Sequence, residues 1–590
     1  MKLSDYIIKQ LEEYTKHVFL VSGGGCIHLV DSLSRSNIKL IPNLHEQASS
    51  ICAESYSQYT NNIGVALVTT GPGSTNALTG IASAWLDSIP VLLITGQVQN
   101  KDRVGNLGVR QCGFQEIDTV SIYKPIVKYA VTITDPKTVR YHFEKAIWLA
   151  KNGRPGPVLL DIPLDIQAAD IDEDSLVGFQ PENVTYNLQN IQCLIDELHS
   201  AKRPIVLVGN GVRLSGAMQE FYEFIDKTKI PVLTTWKAMD FLEETHPQYV
   251  GRPGGVGQRG ANFNQQNSDF ILVIGARLDH GQLAYQPQYF AREAVRCIVD
   301  IDENEINKLG IHVHYPIVAD AKVFLRETNS KISNTIPSDW LNTCKMMYEK
   351  YPVILEEYLE PNKPNINNYA FIKHLSDLLP EGSLLVPGSS GACSEVTMQA
   401  FQIKKNTRVY NSEGLGSMGF GIPAAIAAAL ASNKETICID GDGGLFMNIQ
   451  ELELIYRYQL PIKLFVLNNN GYGSIKTTQN THFGGNLVVS DPSSGLSLPS
   501  IELNALAYKI PYVKITNQVN LKTQLSDVLL RSGPVICELI VDQNHKTLPK
   551  ASVYKKSDGS FSTRPMEDLF PFLDRDEFNS NLLVKPISYE

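Results

Sequence analysis

Short, continuous apolar runs separated by longer helical stretches limit most what this chain can fold into. His17-Val-Phe-Leu-Val, Gly64-Val-Ala-Leu-Val-Thr-Thr, Val91-Leu-Leu-Ile-Thr-Gly and Pro157-Val-Leu-Leu-Asp-Ile-Pro form a first set. Arg203-Pro-Ile-Val-Leu-Val-Gly, Ile230-Pro-Val-Leu-Thr-Thr, Phe270-Ile-Leu-Val-Ile-Gly and Cys297-Ile-Val-Asp-Ile-Asp form a second. Leu384-Leu-Val-Pro-Gly, Thr436-Ile-Cys-Ile-Asp-Gly-Asp, Ile462-Lys-Leu-Phe-Val-Leu-Asn-Asn and Val535-Ile-Cys-Glu-Leu form a third. A strand without polar alternation is buried on both faces, as in a parallel sheet covered by helices. The pattern predicts an α/β chain of three consecutive doubly wound parallel-sheet domains, at 1–168, 188–330 and 366–548, with a tail at 549–590. The polar stretch from Ala168 to Asn187 and that from about Lys331 to Asn367 read as linkers.

Composition narrows the class. Of 590 residues, 43% are hydrophobic and 19% charged, which fits a folded protein and not a disordered one. A net charge of −10 argues against a broad nucleic-acid footprint. The nine cysteines form no CxxC pair, so a reducing compartment is expected. No apolar run reaches the ~18 residues of a membrane helix, and the chain opens in a charged helical pattern. The Ala-rich stretch from Gly421 to Ala431 holds Pro423 and reads as a buried helix. A soluble cytoplasmic protein is the expectation.

The chemistry concentrates in the third unit. Asp442 follows an apolar strand within Ile439-Asp-Gly441-Asp442-Gly443-Gly444, and a helical pattern of Phe446, Ile449, Leu452 and Ile455 comes next. A second strand ends in Asn468-Asn469-Asn470-Gly471, and 24 residues separate Gly443 from Asn468. Strand, helix, strand in that space puts both strand ends on one edge of a parallel sheet, so Asp442 and Asn469 can converge. A carboxylate, an amide oxygen and a nearby backbone carbonyl make part of an oxygen shell for Mg²⁺, with phosphates and water completing it. Gly441, Gly443 and Gly444 open a helix N-terminus whose N–H groups suit a diphosphate. Either piece alone is an ordinary turn or polar loop; the pair at this spacing is not.

This pairing resembles the thiamine-diphosphate (ThDP) enzymes. The resemblance implies Asp442, Asn469 and the Gly471 carbonyl as Mg²⁺ ligands. It also implies a carboxylate beside the N1′ atom of the cofactor's pyrimidine. Asn43-Leu-His45-Glu46-Gln47-Ala48 matches the ThDP decarboxylases and stands between strand residues Leu40 and Ile41 and a small-residue helix, so Glu46 takes that role. The cofactor carries the carbanion chemistry, and the protein orients and tunes it. Gly414-Leu-Gly416-Ser-Met418-Gly matches the segment that props the cofactor, with Met418 as the prop and the Gly416 carbonyl accepting from the 4′-amino group. In the family the diphosphate and pyrimidine sit on different subunits. A homodimer or homotetramer with the cofactor at the interface is thus implied, and a regulatory subunit is left open.

Within that family the chain resembles acetolactate synthase catalytic subunits from about residue 3 to 548. Thr70-Gly-Pro72-Gly-Ser-Thr-Asn76, Ala84-Trp-Leu-Asp-Ser-Ile-Pro90, Ile94-Thr-Gly96-Gln97, Gly113-Phe114-Gln115-Glu116 and Gly153-Arg-Pro-Gly-Pro carry the likeness. It implies Thr70, Pro72, Asn76 and Gln97 as cofactor contacts, Gln115 near the reacting carbon and Phe114 as a pocket wall. In the middle unit, Gly209-Asn-Gly211, Gly275-Ala-Arg277-Leu-Asp279 and Asp300-Ile-Asp302 match positions that hold FAD in those enzymes, giving Gly211, Gly275, Arg277 and Asp300 as FAD contacts, although some relatives bind ADP or nothing there. A lone Gly-x-Gly is weak evidence for a nucleotide.

The chain also departs from the family. Gly388-Ser389-Ser390-Gly391, expected beside the diphosphate, replaces the usual stretch with a Gln-His pair. Gly251-Arg252-Pro-Gly-Gly255 and the tail around Arg564-Pro-Met-Glu-Asp568 are unusual too. They resemble ThDP enzymes found with polysaccharide genes. The expected reaction is decarboxylation of a 2-oxo acid, pyruvate, and ligation of the acyl carbanion to a second carbonyl. The acceptor is pyruvate in the acetolactate synthase reading and a nucleotide-linked keto-sugar in the alternative.

Overall fold

The computed structural model describes residues 1–182, 184–332, 338–389 and 391–587. The first sheet contains β1 (His17–Val21), β2 (Lys39–Pro42), β3 (Gly64–Val68), β4 (Val91–Gln97), β5 (Tyr129–Thr132) and β6 (Val158–Pro163). Their order is β2-β1-β3-β4-β6-β5. The second has β7 (Pro204–Val208), β8 (Val232–Thr234), β9 (Phe270–Ile274), β10 (Val295–Asp300) and β11 (Tyr315–Val318), in the order β11-β10-β9-β7-β8. The third has β12 (Leu384–Pro387), β13 (Arg408–Val409), β14 (Thr436–Gly441), β15 (Ile462–Asn468), β16 (Tyr512–Ile515) and β17 (Val535–Ile540), in the order β13-β12-β14-β15-β17-β16. All strand pairs in these sheets are parallel. Strands β3, β4 and β6 are buried along their whole length, as unbroken apolar runs require.

The first and third domains pack through small residues. Helix Gly421–Ser432 is buried from Gly421 to Ala429 and lies against helix Glu46–Thr60. Cys52 Sγ donates to the Pro423 carbonyl at 3.1 Å and Ser55 Oγ to the Ala424 carbonyl at 2.9 Å. Such close backbone approach explains the alanines and serines on both helices.

Both stretches read as linkers are tied to domains. The first lies on the N-terminal domain: Ile171 N–H donates to the Met1 carbonyl and Phe179 N–H to Glu144. The second contains helix Ser338–Lys350. Trp340 and Cys344 are buried, and with Tyr348 they recur every four residues on one face. Trp340 Nε1 donates to the Pro204 carbonyl at 3.0 Å, joining this helix to the central domain. Pro and Asn on either side obscure this short amphipathic pattern.

The tail returns to the central domain through hairpin β18 (Val553–Lys555) and β19 (Phe561–Thr563) and helix Arg575–Ser580. Helix Arg259–Gln266 is buried at all eight positions although it carries one Arg, two Asn and two Gln. The tail supplies partners: Arg259 donates to the Leu569 carbonyl, Asn262 to the Met566 carbonyl and Gln266 to Glu567. Among the described residues, no helix is long and apolar enough to cross a membrane.

Candidate functional site

Asp442 begins helix Asp442–Leu445 directly after β14, and Asn469 follows β15, the neighbouring strand. Their side chains meet as the spacing predicts. Asp442 Oδ2 accepts the Gly471 N–H at 3.0 Å, and Oδ1 accepts the Gly443 N–H at 2.9 Å. The Asn469 amide oxygen points inward, 3.2 Å from Asp442 Oδ1 and 2.6 Å from the Gly471 carbonyl oxygen. Turned over, the amide nitrogen would donate to both. With the amide oxygen facing in, the group offers oxygens near the roughly 3 Å spacing of neighbours in an octahedral Mg²⁺ shell; with the nitrogen facing in, it closes on itself by hydrogen bonds. Burial pushes the Asp442 pKa up to about 6, while N–H bonds from Gly471, Gly443 and Asn470 pull it down. A divalent cation would favour its ionised form. These donors fit Mg²⁺. Among the described residues there is no cluster of three His, Cys, Asp or Glu side chains that could hold a metal.

The surrounding loops fit a diphosphate. A Cβ on Gly443 would lie 2.7 Å from the Tyr472 ring and 3.2 Å from Met418 Cε, so Met418 stands against the loop that carries Asp442. Gly416 is left-handed (φ 61°), and its added Cβ would lie 3.6 Å from the Ser389 carbonyl. Ser389 Oγ and Ser417 Oγ are buried without a hydrogen-bond partner among the described residues. Buried hydroxyls seldom go unpaired, so a ligand with acceptor oxygens suits them. Sequence reading missed Ser417; its place in the Met418 motif was the available signal. Gly388 and Gly444 have a packing reason: a Cβ on either would fall within about 2.5 Å of Asp440 Oδ1. Gly441 is open, with only Cys393 Sγ at 3.5 Å from an added Cβ. Ser390 lies outside the described residues.

In the N-terminal domain, Glu46 starts helix Glu46–Thr60, capped by His45, whose Nδ1 accepts the Gln47 N–H at 3.1 Å. Asn76 Nδ2 donates to Glu46 Oε2 at 3.0 Å, which fixes the half-buried carboxylate. Asn76 ends a short helix that Pro72 opens, so Thr70, Pro72, Asn76 and Glu46 share one sheet edge. Thr70 Oγ1 donates to Gln97 Oε1 at 2.9 Å, with the Gln115 carbonyl a longer 3.4 Å away. Gln97 Nε2 donates to the Ile117 carbonyl at 3.1 Å and to Asp161 at 3.3 Å. The side-chain bonds of Thr70 and Gln97 thus run into the domain and towards Gln115.

Gln115 has a left-handed backbone (φ 64°), uncommon outside glycine. A Cβ on Gly71 would lie 2.4 Å from its carbonyl oxygen, so Gly71 makes room for this turn. Glu116 pins the loop, accepting N–H bonds from Val104, Cys112 and Gly113 at 2.6, 3.0 and 3.1 Å. Burial raises the Glu116 pKa, but these bonds outweigh it and hold the carboxyl below its ordinary value. Sequence reading gave Glu116 no role. Phe114, 85% exposed, and exposed Gln115 are uncovered in the single chain. No hydrogen bond among the described residues joins Glu46 or Asn76 to Asp442, Asn469 or Gly471.

Gly211, Gly275, Arg277 and Asp300 line one cavity of about 360 Å³ where the three domains meet. The glycines let β7 and β9 ends approach: Gly211 N–H donates to the Gly275 carbonyl at 2.9 Å, and Gly275 is left-handed (φ 59°). Arg277 Nη1 donates to the Leu86 carbonyl at 2.9 Å. Burial pushes the Asp300 pKa up to about 6, against the Asp302 N–H bond and Arg154. Strand-end acids, open backbone and a guanidinium suit the hydroxyls and phosphates of a nucleotide.

Three parallel α/β domains with an oxygen triad at a strand-end edge define a class of diphosphate-cofactor enzymes, and sequence comparison makes it specific. The thiamine pyrophosphate enzyme family matches in three parts: its N-terminal TPP binding domain at 1–122, its central domain at 191–328 and its C-terminal TPP binding domain at 389–539. The acetolactate synthase large subunit of Lactococcus lactis is 32% identical over 558 residues, covering 92% of this chain and 93% of that protein. The probable acetolactate synthase large subunit of Methanocaldococcus jannaschii is 33% identical over 557 residues, 92% of each. The acetolactate synthase isozyme 3 large subunit of Escherichia coli is 31% identical over 545 residues, 89% of this chain and 92% of that protein. The chain belongs to the thiamine pyrophosphate enzymes, in the family of acetolactate synthase large subunits.

Proposed function

We propose that this chain decarboxylates pyruvate and joins the two-carbon unit to the carbonyl of a second pyruvate, forming 2-acetolactate. The observation that carries the reading is the convergence of Asp442, Asn469 and Gly471 beside the Ser389 and Ser417 hydroxyls, which have no partner among the described residues. ThDP, when bound, supplies a nucleophilic carbon that accepts and stabilises the electrons released with CO₂. Asp442, Asn469 and the Gly471 carbonyl would hold Mg²⁺ against the diphosphate. Gly441 leaves the backbone open to it, and Met418 would support the rings.

Glu46 would share a proton with N1′ of the pyrimidine, oriented by the bond from Asn76. Gln115 and Phe114, held out on the Glu116-pinned loop, would meet the substrates. Their exposure, and the separation of Glu46 from the metal loop, supports a homodimer or homotetramer whose interface completes the site. FAD would occupy the central cavity against Gly211, Gly275, Arg277 and Asp300, as a structural group, since the ligation needs no net electron transfer. All nine cysteines are unpaired, and seven are buried, which supports a reducing, cytoplasmic setting.

The relatives favour pyruvate over a keto-sugar as acceptor. Purified chain with ThDP, Mg²⁺ and FAD should form acetolactate from pyruvate alone; release of CO₂ only when a nucleotide-linked keto-sugar is added would overturn that choice. Glu46→Gln should abolish decarboxylation while ThDP still binds. Near-full activity in this variant would remove Glu46 from the mechanism.

A further inference from the structure

A second cavity, of about 60 Å³, lies beside the central one and shares Lys151, Asn210 and Lys237 with it. Residues of all three domains line it. Among the described residues, four cationic side chains reach its wall, Lys151, Arg213, Lys237 and Arg408, and no Asp or Glu does. The acids behind the wall leave this charge incompletely balanced. Buried Asp240 accepts from both Arg213 Nη2 at 2.8 Å and Arg408 Nη1 at 2.7 Å, so one carboxylate faces two guanidiniums. Lys237 pairs with Asp87 at 3.1 Å. Lys151 donates to the neutral amide oxygen of Asn62. Glu54 and Glu413, the other acids near Lys237, are each pushed up to about 8 by burial and by repulsion from neighbouring carboxylates, which keeps them neutral near pH 7.

Among the described residues, one guanidinium charge and Lys151 therefore have no ion-pair partner. The side chains of Arg213 and Arg408 are only 11% and 20% exposed, so water screens the guanidinium excess poorly, whereas Lys151 is exposed. A water occupies roughly 30 Å³ in the liquid, so the cavity has room for about two, or for one tetrahedral oxyanion. Guanidinium groups bind oxyanions with short, charge-assisted hydrogen bonds, and each has five N–H donors to share.

We propose that this three-domain junction binds a small oxyanion of the phosphate class, with Arg213, Arg408 and Lys151 as its charged partners. The proposal does not rest on the reaction. The phosphate could be free inorganic phosphate or part of a nucleotide extending from the adjoining cavity. The test uses the full chain and inorganic phosphate, with melting temperature and titration calorimetry as readouts and sodium chloride at matched ionic strength as control. Phosphate should raise the melting temperature saturably where chloride does not.

Asn61→Asp adds a negative charge to the wall at a position that is exposed and left-handed (φ 51°), a conformation Asp also adopts. It should weaken phosphate about tenfold or more, as should Arg213→Gln. ADP competing with phosphate would mark the oxyanion as part of the neighbouring ligand, and independent binding would mark it as free; both support the site. Equal stabilisation by chloride, or unchanged phosphate affinity in both variants, would reduce the cluster to a structural one and overturn the proposal.

Discussion

Glu54 should make the stability of this chain fall as pH rises. It lies within helix Glu46–Thr60 with no exposed surface. One oxygen accepts from Ser83 Oγ at 3.1 Å and, more weakly, from Gln58 at 3.4 Å. The other has no partner among the described residues. Burial, helped by Asp87 and opposed by Lys237, raises its pKa from 4.5 to about 8. The unfolded chain loses this proton near the lower value and the folded chain near the higher one. Between them the folded state holds one more proton, so the stabilisation is complete below the unfolded pKa and lost as pH climbs through the folded pKa. At about 1.4 kcal/mol per pKa unit, a shift of about 3.5 units is worth roughly 5 kcal/mol. Glu54→Gln keeps an acceptor for Ser83 and removes the titration. Urea melts of both proteins at several pH values between about 5 and 8 measure the effect. The variant should gain on the native chain by about 1.4 kcal/mol per pH unit. Parallel stability profiles would refute the reasoning.

Two further outcomes follow from single contacts. Asp442→Asn removes the charge from the oxygen triad and should weaken Mg²⁺-dependent ThDP binding by about a hundredfold or more, read by fluorescence titration at varied Mg²⁺, with the melting temperature of the cofactor-free chain unchanged or raised. Arg259→Met takes a charged donor from the tail carbonyls of Leu569 and Pro571; it should cost about 2 kcal/mol and speed proteolysis in the tail before the sheets are cut.

The sheets were legible because burial on both faces writes itself as an unbroken apolar run. Asp442 and Asn469 were legible because strand–helix–strand geometry converts a spacing in sequence into a meeting in space. What stayed hidden depends on partners far along the chain. Helix Arg259–Gln266 reads as a solvent-facing polar helix, and only the tail some 300 residues later shows why its amides are buried. Glu116 looks like a loop acid until its carboxylate gathers three backbone N–H groups. The linker reading of Ser338–Lys350 failed because two buried positions and a half-buried one in a polar segment are too few to set a period. The Asp240, Arg213 and Arg408 cluster comes from two domains, and no local pattern joins its members.

The two outer domains share more than their sequence reveals. No short repeat is visible, yet both sheets have the same order when strands are counted from each domain's start: second, first, third, fourth, sixth, fifth. The candidate residues fall after equivalent strands. Glu46 follows the second strand of its domain and the Met418 loop the second of the other. Thr70 to Asn76 follow the third strand and Asp442 the third. Gln97 ends the fourth strand and Asn469 follows the fourth. Strand ends at one sheet edge are where an open α/β fold leaves backbone groups free for a ligand, so one topology used twice offers two matching edges. The chemistry then diverged by side chain. One edge carries a carboxylate and amides that can work on a ring nitrogen, and the other an oxygen triad and glycines that can hold a metal and a diphosphate. A cofactor with a ring at one end and a diphosphate at the other needs both edges facing each other. Within one chain no hydrogen bond among the described residues joins the two sets. Pairing the edge of one copy with the opposite edge of another would satisfy both and cover Phe114 and Gln115, which is why a single chain is an incomplete catalytic unit in this reading.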